Sequence, residues 1–126
     1  MIQRHILAGH HPPVSHYCHV VRAERHVWVS GAVGMRADGS VPDSTVEQFR
    51  VAMETVDASL KQVGAKAKHV VKVTIFMTNI AERPLINPQR IEYFGEDRPA
   101  STLVEVSKLV DPRLKVEIEA MAYIDD

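Results

Sequence analysis

The stretch KVEIEAMAYI, Lys115 to Ile124, alternates without a break. A period of two is the mark of an extended strand with one dry face and one wet one. Val116, Ile118, Ala120, Ala122 and Ile124 fall on one side, and Lys115, Glu117, Glu119, Met121 and Tyr123 on the other. The first set demands a core. The second carries two carboxylates pointing the same way, on a surface too regular for a loop and too charged for an interior, so it reads as a site or a subunit contact. Upstream, RPASTLVEVSK (Arg98 to Lys108) reads as a further extended segment entered by a proline, with a polar loop between the two.

The remaining segments supply partners for that strand. Met1 to His11 opens with a short alternation of an edge strand, stopped by Pro12-Pro13. His16 to Arg22 and His26 to Ser30 read as a hairpin turning at Ala23-Glu24-Arg25, and Asp38-Gly39 marks a tight turn. From Ser44 to Val63 the apolar residues Val46, Phe49, Met53, Val56, Leu60 and Val63 recur at spacings of three and four, which predicts a helix. Ser44 with Glu47 has the form of a capping box, Asp43 is an alternative cap, and Gly64 stands where a left-handed residue ends a helix. His69 to Asn79 predicts a long strand with Val71, Val73, Ile75 and Met77 on one face and Lys72, Thr74, Phe76 and Thr78 on the other. A second helix ends near Phe94 before Gly95, starting at Pro84 or Pro88, with Asn87 as a natural cap for the latter. The order strand, hairpin, long helix, strand, short helix, strand, strand predicts one α+β domain over residues 1–126, with two helices on one face of a mixed sheet. Its other face, carrying Trp28, Thr74, Phe76 and Glu117, then calls for cover by partner subunits.

Charge and composition narrow the function classes. Fifteen basic and sixteen acidic side chains give a net charge of -1, so no whole-molecule field draws in nucleic acid or an anionic membrane. The lone cysteine, Cys18, has no internal partner and fits a reducing cytoplasm. No apolar run approaches the roughly 18 to 20 residues of a membrane span, and the start lacks an apolar signal core, so a cytoplasmic protein without membrane partners is expected. Six of the seven histidines fall in the first 26 residues. His16, Cys18 and His19 have the elements of a zinc site, but on a strand His19 faces away from the other two, so no metal ligation is expected. No cofactor is implied.

Pro99-Ala100, Val104-Glu105-Val106 and the Lys115 to Ala120 strand resemble the C-terminal signature of the Rid family, also called YjgF/YER057c/UK114, whose form is P-A-R-S-x-V-E-V, a short loop and K-[IV]-E-I-E-A. The resemblance runs from about Ile2 to Ile124. It implies a chorismate-mutase-like fold, a homotrimer with pockets at the subunit seams, and hydrolysis of reactive enamines and imines. It also implies site residues: Tyr17 as the pocket tyrosine, Ser30 and Gly31 as the family's S-G, Asn87 as the pocket asparagine, and Glu117 as the glutamate that handles water. At the position of the family's arginine, which clamps a substrate carboxylate, this chain has Ser101.

That departure has a magnitude. A hydrogen bond to a charged group contributes roughly 1.5 to 3 kcal/mol, so loss of the clamp costs on the order of 100-fold for a 2-imino acid. Serine cannot replace it. Arg98 lies three residues back and points to the opposite face, whereas Arg113 in the following loop is a candidate from a neighbouring subunit. Either the substrate lacks a carboxylate or another cation binds it. The water-attack chemistry survives, with Glu117 and Tyr17 as the catalytic pair and Ser30, Gly31, Asn87 and Ser101 around the substrate. Three readings follow: a hydrolase of imines or enamines with altered substrate choice, a metabolite-binding trimer without the reaction, and an endoribonuclease. The last is disfavoured by the absence of a basic stripe, an aromatic platform or paired catalytic histidines.

Overall fold

The three-and-four spacing of residues 44 to 63 closes into helix α1, Thr45–Gln62. The Ser44 side chain accepts from the Glu47 amide at 3.1 Å, while the Glu47 carboxylate turns to Arg50 instead of completing a reciprocal box. Gly64, at φ 83, ends the helix in the left-handed region where a Cβ is penalised. Phe49, Ala52, Val56 and Leu60 are fully buried along its inner stripe. They pack on one face of a six-stranded sheet whose strands lie side by side in the order Ile2–His5, Val20–Ala23, His26–Val33, Val116–Tyr123, Val70–Met77 and Ala100–Glu105.

The computed structural model describes residues 1–126. Its strands are β1 (Ile2–His5), β2 (Val20–Ala23), β3 (His26–Val33), β4 (Val70–Met77), β5 (Ala100–Glu105) and β6 (Val116–Tyr123). Only β4 and β5 run parallel; every other neighbouring pair is antiparallel. Helix α2 (Asn87–Phe94) follows a 3-10 turn, Ile80–Ile86, and sends Phe94 into the same apolar cluster as α1, so both helices cover one face. This is the mixed sheet with two helices that the element order predicts. Strand β6 lies at its centre, and Val116, Ile118, Ala120 and Ala122 are buried as the alternation requires. No helix is long and apolar enough to cross a membrane.

Four expectations change. Residues 16 to 19 are loop, not strand, and β2 begins only at Val20. The exclusion of metal by strand alternation at His16, Cys18 and His19 therefore loses its premise. Gly31 lies within β3, which runs on to Val33. In β4 the core residue is Val70, whereas Val71 is half exposed. Two steps along β4 there match one along β6, so Val71 is the extra residue of a bulge and faces solvent. Asn87 is not a cap: it already has helical φ and ψ, and the cap position is Ile86, with no side-chain bond. The capping asparagine is Asn79, which accepts from the Ala81 amide at the start of the 3-10 turn.

One buried polar side chain anchors the working end of β6. The Gln48 amide group donates to the Pro42 and Arg113 carbonyls, both at 2.9 Å, and its Oε1 accepts from the Lys115 amide at 2.7 Å. Gly34 lets β3 come this close to α1, since a Cβ there would lie 2.6 Å from Gln48 Cα. The strand that carries Glu117 thus starts from a fixed point.

Candidate active site

A second bulge builds the site. Val29 pairs with Ala120 and Ala32 with Ile118, so three steps along β3 match two along β6. The extra residue falls in the Ser30-Gly31 segment, locally twists the strand and breaks its alternation. Gly31 then lies under the side chain of Glu117. A Cβ on Gly31 would stand 2.8 Å from Glu117 Cδ and closer still to Oε2. The glycine is needed here for space, not for its backbone angle. Glu117 is half-buried, and that burial, with a smaller contribution from the Glu119 charge, pushes its carboxyl above the ordinary value for glutamate. Such a carboxyl binds a proton more readily than a solvated one.

The loop before β2 closes over this carboxylate. It is held by His19, whose Nδ1 accepts from the Leu7 amide at 3.0 Å, leaving Nε2 to donate to the His11 carbonyl at 3.0 Å. Both ring nitrogens are engaged within the loop, which gives His19 a structural task. The Ser30 hydroxyl donates to the Cys18 carbonyl at 2.7 Å, and the Ser30 amide donates to the His19 carbonyl. Ser30 therefore ties the loop to β3 and keeps lone pairs for a ligand. The Tyr17 hydroxyl accepts from the Val14 amide at 3.2 Å, so its own proton is free to be donated. Tyr17, Ser30, Gly31 and Glu117 together line one cleft of about 520 Å³. Sequence reasoning did not single out several polar neighbours of the cleft, among them His11 and Ser15 from the loop and Thr55 and Ser59 from α1. Ser59 is fully buried and its hydroxyl has no partner.

Asn87 and Ser101 lie elsewhere in the same chain. Ser101 pairs with Val73, a core-facing residue, so it points toward the helices at the β5 edge of the sheet. There its hydroxyl accepts from Arg90 Nη2 at 2.8 Å. Asn87, one turn before Arg90 on α2, borders the same hollows as Arg90. Arg113, the candidate substitute for the clamp, is turned onto Asp111 by a two-pronged contact of 3.0 and 3.1 Å. That pairing holds the Asp111 carboxyl below its usual value and leaves Arg113 with its charge already matched. Arg90 is the cation beside Ser101, and its i, i+3 relation to Asn87 on one helix face was the available signal.

The open sheet face beside the cleft is rich in large side chains. Trp28, Met121 and Tyr123 are each about two-fifths exposed, and His26 stacks on Trp28 and meets Tyr123 edge-on. Phe76 sits next to Glu117 in the register of β4 and β6.

Residues 8–124 match the endoribonuclease L-PSP family. The chain is 33% identical over 118 residues to the 3-aminoacrylate deaminase RutC of Acinetobacter baylyi, spanning 92% of this chain and 93% of that protein. It is 32% identical over 115 residues to a 2-iminobutanoate/2-iminopropanoate deaminase of Dermatophagoides farinae, spanning 90% and 89%. Among solved structures, the Rid family protein YyfA of Yersinia pestis superposes with a TM-score of 0.91 at 28% identity, over 98% of this chain and 100% of that one.

Proposed function

The chain belongs to the endoribonuclease L-PSP family, which includes the Rid and RutC proteins, and from that premise we propose that it hydrolyses small reactive imines or enamines. The observation that carries this reading is the placement of a half-buried, proton-avid Glu117 over Gly31, in one cleft with a Tyr17 hydroxyl free to donate. Relatives named as deaminases of 3-aminoacrylate and of 2-imino acids support it.

The chemistry needs a base, a donor and an electrophile. Glu117 as carboxylate accepts a proton from a water, whose oxygen forms a bond to the imine carbon. The C=N π electrons move to nitrogen, which takes a proton from the Tyr17 hydroxyl. The resulting carbinolamine collapses to a carbonyl as its C–N bond breaks: the nitrogen takes the proton held by Glu117 and leaves as ammonia, while the carbinolamine hydroxyl gives its proton to the Tyr17 phenolate, which restores both side chains. An enamine enters by protonation at its β-carbon and loss of one N–H proton, which converts it to the imine. Ser30 offers lone pairs to the substrate N–H. Asn87 and Ser101 can reach this cleft only from another copy, and the trimer that the family resemblance implies supplies one, with the apolar open face of each sheet turned inward. Its natural substrate is a small molecule.

Imines generated by an amino-acid oxidase, with semicarbazide trapping of the survivors, test the reading. Protein-dependent loss of the semicarbazone signal is expected. Thermal stabilisation by the corresponding 2-oxo acids without turnover of the imines would instead make the chain a binding protein, and salt-sensitive RNA cleavage without imine hydrolysis would favour the activity in the family's name.

A further inference from the structure

The β5 edge of the sheet carries three arginines, Arg83, Arg90 and Arg98, and none lies within ion-pair distance of a carboxylate. Arg83, Asn87 and Arg90 border one hollow, and Asn87, Arg90 and Arg98 border the adjoining one, where Glu96 is the single acidic neighbour. Arg90 and Asn87 are common to both. Arg90 is the most enclosed of the three, and its one protein partner is the neutral Ser101 hydroxyl at 2.8 Å. A guanidinium has five N–H donors in a planar fork; here one is used, and four remain. A partly desolvated fork with an amide one turn away on the same helix and a hydroxyl against one prong is a receptor for a planar, bidentate anion.

We propose that Arg90, braced by Ser101 and assisted by Asn87, binds the substrate carboxylate, so that the imine hydrolysed here is that of a 2-imino acid rather than an uncharged one. The serine at position 101 is short enough to leave the space that the Arg90 side chain occupies. The cation thus comes from α2 instead of from β5, and Arg113, already matched by Asp111, is not needed. Arg90 acts from the copy that completes the Glu117 cleft, and the inference rests on the hydrolase reading and on that closure. Arg83 and Arg98 raise the local potential and draw the anion in.

Purified full-length protein is assayed with two imines of equal carbon skeleton: a 2-imino acid from an amino-acid oxidase, and an imine without a carboxylate from an amine oxidase. R90Q is expected to lower kcat/KM for the 2-imino acid on the order of 100-fold and to change the uncharged imine less than about threefold, with R90K between. In the R90Q background, S101R is expected to restore most of the loss by returning a guanidinium from the strand. Equal losses on both substrates, or none on the acid, would overturn the assignment. Calorimetric binding of a 2-oxo acid, the product analogue, is measured alongside. If the wild type turns over neither imine, the hydrolase reading fails by itself. Oxo-acid binding lost in R90Q would then still uphold the anion site, and binding retained would end it.

Discussion

On the helix side of β6, Val116, Ile118, Ala120 and Ala122 are all buried against α1 and the neighbouring strands, and nothing there waits for a partner. On the other side of the same strand, Glu117 is half-buried, Glu119 is exposed, and Met121 and Tyr123 remain about two-fifths exposed beside Trp28. One face is finished by the chain itself. The other holds a carboxylate pushed above its usual value beside a set of large apolar side chains, the kind of surface that ligands and partner subunits cover. The lesson is that adjacent residues on one strand divide stability from chemistry, and the division is testable.

The sharpest break comes from Glu117→Ala. Loss of a general base costs about 100- to 10,000-fold in kcat, while urea unfolding moves little because no core contact is removed. A kcat within threefold of wild type would take Glu117 out of the mechanism. One residue along, Ile118→Ala should do the opposite: a loss of about 2 to 5 kcal/mol in stability from the buried side chain, read by urea unfolding at fixed protein concentration, with kcat retained by the folded fraction. Gly31→Ala sharpens the contrast further. The added methyl meets the mobile end of Glu117 and not backbone, so the fold is kept while the carboxylate is displaced, and a loss of up to about 100-fold in kcat/KM is expected. A crystal structure of that variant with Glu117 unmoved would contradict it.

The smallest effect is expected from Glu119→Gln. In the proposed mechanism Glu117 works as the carboxylate, and its raised value means that activity should fail on acidification earlier than an ordinary glutamate would allow. Removing the Glu119 charge lowers the Glu117 value and should shift the acid limb of the pH profile to lower pH. The shift is modest because burial, the larger cause, stays. An acid limb that moves upward or stays fixed would show that Glu119 does not act on it.

The elements most legible in the sequence were those with an uninterrupted period. Residues 44 to 63 and 115 to 124 each repeat long enough for one face to be dry along its whole length, and both form where expected. Breaks in period were opaque. Val71 looks like a core residue by alternation and becomes exposed because a bulge adds one residue to β4. His16 to His19 look like strand by composition, yet a histidine bonded through both nitrogens and the Ser30 hydroxyl hold them as a loop over the cleft. Asn87 has the chemistry of a cap, but the chain enters α2 from a 3-10 turn already in helical conformation, so no cap is required.

The candidate site was partly legible in the same sense. Tyr17, Ser30, Gly31 and Glu117, far apart in sequence, do share one cleft, whereas Asn87 and Ser101 share a different edge with Arg90. By itself the sequence determined which strand would carry the carboxylates, which face of it would be dry, and that position 101 had no guanidinium. These follow from periodicity and from side-chain chemistry, which are local. Tertiary structure alone decided that a bulge would bring Gly31 under Glu117 and that α2 would set an arginine against Ser101. Both depend on inter-strand register and helix placement, which arise from packing between segments and leave no signature in either segment alone.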